Sequence, residues 1–316
     1  MKFWNDLKIV EDEAERVKKM VFYSDGAVAE AVLYRYPDYE TRTVICCSTQ
    51  SGCPVGCRFC GAGNAFIRNL TSDEIVEQVD EAIKLTGIDS SEINRLQIMF
   101  MSMGEPLLNF KNLSKSLVIL NEKYPNASLL ISTSAPDVGG EVWDKLYNLS
   151  ELIPNIGLQF SIHESTDEKR NELIPFKKKL SLQQISLEGK AFYIITGRKA
   201  FFNYCAHENN STIEDAQRLR SLFNPKYFNA TVSVICEVND GMPSANDFQR
   251  SLATEFASKL VDLGFDVRVF DPAGQDTIGG GCGQLWFVQK YFEDNPDIAK
   301  KTVGHGLPVR HAPTME

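Results

Sequence analysis

Cys53-Pro54-Val55-Gly56-Cys57-Arg58-Phe59-Cys60 brings three thiols into one short stretch, spaced three and then two residues apart. The stretch comes soon after an apolar run, Val44-Ile45-Cys46-Cys47. Three thiolates on one loop can hold three corners of a cuboidal [4Fe-4S] cluster. With no fourth cysteine in the loop, one iron is left open to a small chelating ligand. An open coordination position signals chemistry rather than scaffolding, as it does at catalytic zinc. A structural zinc knuckle is the plainer alternative. It needs a fourth ligand, usually from a second C-x2-C or an H-x3-H, and the four histidines, His163, His207, His305 and His311, all lie far along the chain.

These thiols need a scaffold, and the bulk composition limits which kinds are possible. A length of 316 residues suits one large α/β domain or two small ones. With 43% hydrophobic and 24% charged residues, the chain reads as an ordinary globular enzyme. No apolar run approaches the ~20 residues of a membrane span, so no membrane partner is expected. The N-terminus, Met1-Lys2-Phe3-Trp4-Asn5-Asp6, does not read as a secretory signal. Eight cysteines in such a chain point to the reducing cytoplasm, with thiols used for metal or catalysis. The net charge of −9 argues against a broad basic surface gripping nucleic acid, although a local basic patch is compatible with it.

Along the chain, an acidic helix is expected over Glu11–Lys19, followed by a hairpin. In that hairpin Met20–Tyr23 runs into Ser24-Asp25-Gly26 and Ala27–Tyr36 returns. From Thr43 the pattern alternates. Strand-like runs fall at Thr43–Ser48, Leu96–Met101, Ser128–Ser132, Ile156–Ile162, Ala200–Tyr204, Ala230–Ile235 and Asp266–Phe270. Between them lie helical segments. The clearest covers Thr71–Leu85, with Thr71 and Glu74 as a capping box and Gly87 placed for a left-handed cap. Others begin near Thr212 and span Asp247–Leu263. Such alternation implies parallel strands with right-handed crossovers. It predicts an α/β fold, a full or partial β/α barrel whose active site lies at the C-terminal strand ends. The thiol loop falls on that face. Cys46 and Cys47, adjacent at the end of the first strand of the series, must point to opposite faces. Cys282 lies in Gly279-Gly280-Gly281-Cys282-Gly283, a stretch with little side-chain bulk that suits a nucleophile which must move. Cys47, Cys205 and Cys236, on apolar runs, read as buried hydrophobes.

Four further segments give the pattern a family. They are Cys46-Cys47-Ser48-Thr49-Gln50-Ser51-Gly52-Cys53, Met101-Ser102-Met103-Gly104-Glu105-Pro106-Leu107-Leu108-Asn109, Phe160-Ser161-Ile162-His163 and Gly281-Cys282-Gly283-Gln284-Leu285. Together with the thiol loop they resemble the radical-SAM adenosine C-methyltransferases of the RlmN/Cfr type, from about Lys19 to Leu285. The resemblance implies an incomplete (β/α)6-type barrel over residues 41–290, preceded by a helix-and-hairpin extension over 1–40 and followed by a tail over 291–316. It implies a [4Fe-4S] cluster on Cys53, Cys57 and Cys60 and S-adenosyl-L-methionine as cofactor. Cys282 matches the cysteine that carries the methyl group, whose carbon radical then adds to C2 or C8 of an adenine. Cys46 matches the cysteine that releases the product by forming a disulfide with Cys282. Gly104 and Glu105 match the segment holding the methionine amino group, and Ser132, Ser161, His163 and Asn239 match polar positions along the cofactor. The implied partners are an RNA substrate (rRNA or tRNA) or a nucleotide, and an electron donor such as flavodoxin or ferredoxin.

The chain also departs from the family pattern. The family usually carries a helical domain ahead of the hairpin, and only residues 1–19 precede it here. Where the family shows a basic segment before the carrier cysteine, this chain has Phe270-Asp271-Pro272-Ala273-Gly274-Gln275-Asp276. Two rival readings follow. One is the same two-cysteine chemistry on a small nucleotide or other non-rRNA substrate. The other is a non-catalytic Fe–S or zinc module that binds RNA.

Overall fold

Apolar runs buried on both faces, Met20–Phe22 and Ala27–Tyr34, make the N-terminal part extended. Three antiparallel strands, β1 (Asp6–Asp12), β2 (Val17–Ser24) and β3 (Ala27–Arg35), open a computed structural model that describes residues 2–24, 26–235, 245–274, 276–279, 284–297 and 300–301. The expected hairpin is β2–β3. The helix expected over Glu11–Lys19 is not formed. That segment is the end of β1, a turn over residues 13–16 and the start of β2. A helix of two to three turns is marginal by its own propensity. Extended pairing buries Val17 and Val21 and gives the backbone of β2 partners on both sides. Asp12 accepts the Glu15 amide and Arg16, at φ 59°, closes the turn.

Next come β4 (Thr43–Cys47), β5 (Gln50–Gly52), β6 (Ala65–Asn69), α1 (Ser72–Thr86), β7 (Leu96–Phe100), α2 (Phe110–Lys123), β8 (Ser128–Thr133), α3 (Gly140–Leu152) and β9 (Ile156–Ser161). After them lie α4 (Asp167–Leu173), α5 (Leu182–Thr196), β10 (Ala200–Ala206), α6 (Ile213–Leu222), β11 (Phe228–Val234), α7 (Asp247–Asp262), β12 (Val267–Phe270), α8 (Trp286–Asp294) and β13 (Lys300–Lys301). The capping signals act as the sequence predicts: Thr71 and Glu74 form the capping box of α1, and Gly87 ends it at φ 75°.

The ten-stranded sheet runs β1-β2-β3-β4-β7-β8-β9-β10-β11-β12, antiparallel from β1 to β4 and parallel from β4 to β12. Its parallel order never reverses. Right-handed crossovers that all step the same way lay their helices on one face. The helices accordingly contact one another in sequence, α1 with α2, α2 with α3, α3 with α5, α5 with α6 and α6 with α7. The strand side chains facing them, such as Ile45, Cys47, Ile98, Phe100, Ile131, Phe160 and Tyr204, form the main core.

The opposite face is polar across β8–β12. Gln159 Nε2 donates to Ser132 Oγ at 3.1 Å, Thr231 Oγ1 to Gln159 Oε1 at 3.2 Å, and Arg268 Nε to Thr231 Oγ1 at 2.9 Å. Buried polar groups persist only when bonded in this way. Toward β2–β4 the same face turns apolar: Val17, Val32, Tyr34, Val44, Cys46, Met99 and Ile278 form a separate buried cluster. No helix among the described residues is long and apolar enough to cross a membrane.

Candidate active site

The thiol loop leaves β5 and returns through a 3-10 turn (Gly61–Asn64) into β6. Cys53 N donates to Ala65 O (2.9 Å), Cys60 N to Cys57 O (3.1 Å) and Arg58 N to Leu173 O (3.0 Å). Val55 and Phe59 are buried with Leu173, Ile174, Cys205 and Ile235. The loop is thus clamped from the outside by apolar contacts, and its thiols turn toward a cavity at the C-terminal ends of β7, β8 and β9.

One cavity of about 100 Å³ is lined by Cys53, Cys57, Cys60, Gly104, Glu105, Ser132, Ser161 and His163, with Val55, Phe59, Ala62, Met101, Ser102 and Ser134. Eight residues singled out in the sequence therefore converge, from segments up to about a hundred residues apart. Cys46 does not line the cavity. It lies on the inner sheet face, in the apolar cluster with Val32, Met99 and Ile278, while Cys47 points into the helix-side core, as strand alternation requires. Cys205 is buried too. Cys282, Asn239 and Cys236 lie outside the described residues.

The electrostatics suit a bound cation. Burial pushes the Cys53 and Cys57 thiols well up from their usual range, and each neighbouring thiol pushes further. Three thiolates can coexist here only if a positive centre holds them. Among the described residues, no three His, Cys, Asp or Glu side chains converge on one ion. A cuboidal cluster instead takes one thiolate per iron, which separated sulfurs allow.

Glu105 is 3% exposed, and burial raises its carboxyl against four donors that lower it. Oε1 accepts from Thr133 Oγ1 (2.5 Å) and Leu107 N (3.0 Å), and Oε2 from Ser134 N (2.7 Å) and Ser134 Oγ (2.8 Å). The carboxyl group is immobilised by these four donors, so its place in the cavity wall is fixed. Arg170, fully buried, donates to Leu180 O and Ser134 O, and burial pulls its guanidinium down to about 10. His163 sits at φ 59° with its ring edge-on to Phe59. Burial, then Arg170, lowers its imidazole to about 3, so the ring is neutral. Its Nδ1 is buried without a partner among the described residues. An orphaned acceptor or donor in a cavity wall calls for a ligand.

Gly104 is fixed by geometry. At φ 98°, a Cβ would stand 2.6 Å from Gln50 Cβ and 2.8 Å from Gln50 N. Gln50 Oε1 in turn accepts Glu105 N at 2.8 Å. Gly104→Ala should therefore cost about 2–4 kcal/mol and shift Glu105; thermal unfolding against the wild type measures the first.

Sequence reasoning missed Thr133, Ser134 and Arg170. The first two sit in a Ser-Thr-Ser run that carries no motif, and Arg170 lies in a short charged helix that reads as solvent-facing.

A family model described as the Radical SAM superfamily matches residues 47–185. The chain is 31% identical over 290 residues to a protein from Thermotoga neapolitana named probable dual-specificity RNA methyltransferase RlmN, covering 90% of this chain and 80% of that protein. The chain belongs to the RlmN family of the radical SAM superfamily. The RlmN-named protein of Pseudothermotoga lettingae is 34% identical over 285 residues, covering 88% of this chain and 79% of that one. A solved radical SAM methyltransferase from Sphaerobacter thermophilus superimposes with a TM-score of 0.75 at 26% identity, covering 88% of this chain and 80% of that one. The family read from Gly104-Glu105-Pro106 and Cys282-Gly283-Gln284-Leu285 is thereby borne out. As an RlmN-family member the chain is a radical SAM methyltransferase, with a [4Fe-4S] cluster and S-adenosylmethionine as its cofactors.

Proposed function

We propose that this protein methylates an adenine carbon, C2 or C8, in rRNA or tRNA, by way of a methyl group carried on Cys282. The observation that carries the reading is the convergence of Cys53, Cys57 and Cys60 with Glu105, Ser132, Ser161 and His163 around one cavity. Cys53, Cys57 and Cys60 are the ligands of the cluster, which together with S-adenosylmethionine supplies a carbon-centred radical when reduced. Gly104 lets the chain pass close to Gln50, so that Glu105 faces the cavity as a fixed anion opposite a cationic group. The Ser132 and Ser161 hydroxyls, 3.3 Å apart, and the unpartnered His163 Nδ1 offer bonds to the polar groups of the cofactor, with Asn239 as a further contact.

Cys46 serves as the resolving thiol. Ile278, four positions before Cys282 in the chain, packs in the same buried cluster as Cys46, which supports an approach of the two. The monotonic strand order and the single helical layer support an incomplete six-unit barrel. Its radical-SAM unit spans 41–290, with 1–40 as an extension and 291–316 as a tail. The chemistry needs reduced thiols and a low-potential donor, a flavodoxin or ferredoxin, which suits the cytoplasm.

Mass spectrometry of nucleosides from the RNA of cells that express the protein, against cells that do not, tests the reading. A C-methylated adenosine is expected in the expressing cells. Active 5′-deoxyadenosine formation with no new methyladenosine in any RNA would overturn it in favour of a small nucleotide substrate.

A further inference from the structure

Lys19 and Glu30 form an ion pair with both side chains 0% exposed, Nζ to Oε2 2.7 Å. Lys19 pairs with Val32 and Val21 with Glu30 across β2–β3, so the two are diagonal neighbours on one face. Cys46 pairs with Val32 across β3–β4, which puts the ion pair on the same inner face as Cys46. A buried ion pair is weak evidence of stability, because desolvation offsets its attraction. Its remaining bonds are more informative. Lys19 Nζ also donates to Gly279 O, and the Phe287 ring lies 5.6 Å away. Glu30 Oε1 accepts Val288 N at 3.0 Å. Val288 is the third residue of α8, whose capping position is Leu285 and has no side-chain cap of its own. Glu30 thus caps α8 from 258 positions away. Its backbone carbonyl further accepts from Ser48 Oγ (2.6 Å), just after Cys46-Cys47, and from Ser102 Oγ (2.7 Å), just before Gly104-Glu105.

We infer that the Lys19–Glu30 ion pair is a positioning device for the methyl-carrier segment: Lys19 holds its entry at Gly279, Glu30 holds its exit at Val288, and Glu30 lies on the strand that pairs with the one carrying Cys46. The inference rests on the role proposed for Cys282, which lies in sequence between the two anchors. Fixing both ends of a short segment restricts the space it samples and raises the effective concentration of any group it carries. An ammonium and a carboxylate suit this task because each still has bonding capacity after pairing with the other, one for a carbonyl and one for an amide.

The experiment compares the reconstituted wild type with Lys19→Met/Glu30→Leu, which replaces the pair by apolar side chains of similar size. The melting temperature is expected to stay within about 5 °C. Amide exchange over residues 284–290 should rise about tenfold or more. The ratio of RNA methylated to 5′-deoxyadenosine formed should fall about tenfold, with 5′-deoxyadenosine formation itself retained. A merely structural pair would loosen the start of α8 but leave that ratio unchanged in a protein of unchanged stability, and an unchanged ratio overturns the inference. If the double variant does not fold, Glu30→Gln takes its place. It removes the charge that faces Lys19 but keeps a side-chain oxygen for the Val288 amide, so only the fall in the methylation ratio is expected, and an unchanged ratio again overturns the inference. If the wild type itself methylates no RNA, the proposed function fails, and the exchange data then decide the anchoring alone.

Discussion

Cys57→Ala protein should purify colourless, take up no iron and sulfide on anaerobic reconstitution, and form no 5′-deoxyadenosine above background; the same holds for Cys53→Ala and Cys60→Ala. The three thiols line one cavity, and burial plus the neighbouring thiols pushes those of Cys53 and Cys57 well up, so a cation is needed to hold them as thiolates. Losing one ligand of three leaves a second iron open and the cluster labile. The loop should survive the change. Its backbone bonds to Ala65 and Leu173 and the burial of Val55 and Phe59 do not involve the sulfurs. Circular dichroism close to that of the apo wild type should accompany the loss of colour. In a zinc knuckle the wild type itself would be colourless, and stoichiometric zinc without iron uptake would sink the cluster.

The second large effect separates the two remaining cysteines. Cys282→Ala should lower RNA methylation by about a thousandfold or more, as removal of a covalent carrier does. Its cluster and its colour should be intact. Cys46→Ala should also turn over poorly, but for a different reason. The carrier can still load and attack, so a thioether between Cys282 and the RNA should accumulate. Gel shift of the protein from cells, collapsed by RNase digestion, reads this directly. The competing view treats Cys46 as packing alone. It is 5% exposed among Val32, Met99 and Ile278, and truncation to Ala there would cost roughly 1 kcal/mol. That loss would leave no adduct. Unmodified Cys46→Ala protein in cells where the wild type methylates RNA would refute the resolving role.

These two experiments bear on residues that were visible in the sequence, and the reason is chemical. Thiol spacing in Cys53–Cys60 is a local property of eight residues. The seven strands from Thr43 to Phe270 were also legible, because each is an apolar run bounded by capping and turn residues whose signals act within a few positions. The opposite faces of Cys46 and Cys47 follow from strand geometry alone.

Where local signals were weak, the sequence misled. Glu11–Lys19 carries helix-forming charges, but only pairing with a neighbouring strand decides the conformation of so short a segment, and β1 and β2 supply each other. Tertiary structure alone decided the rest. That Glu105 would be held by Thr133 and Ser134, that Arg170 would be fully buried beside them, and that His163 Nδ1 would be buried without a partner among the described residues depend on contacts tens of residues apart. The Lys19–Glu30 pair is the extreme case. In sequence it is an ordinary lysine and glutamate in a hairpin. Its meaning appears only when the fold brings Gly279 and Val288, some 260 positions later, against it. Residue type and spacing along the chain determine which chemistry is possible. Which charge is buried, bonded and aimed is set by packing between distant segments, because desolvation and hydrogen bonding act through space rather than along the chain.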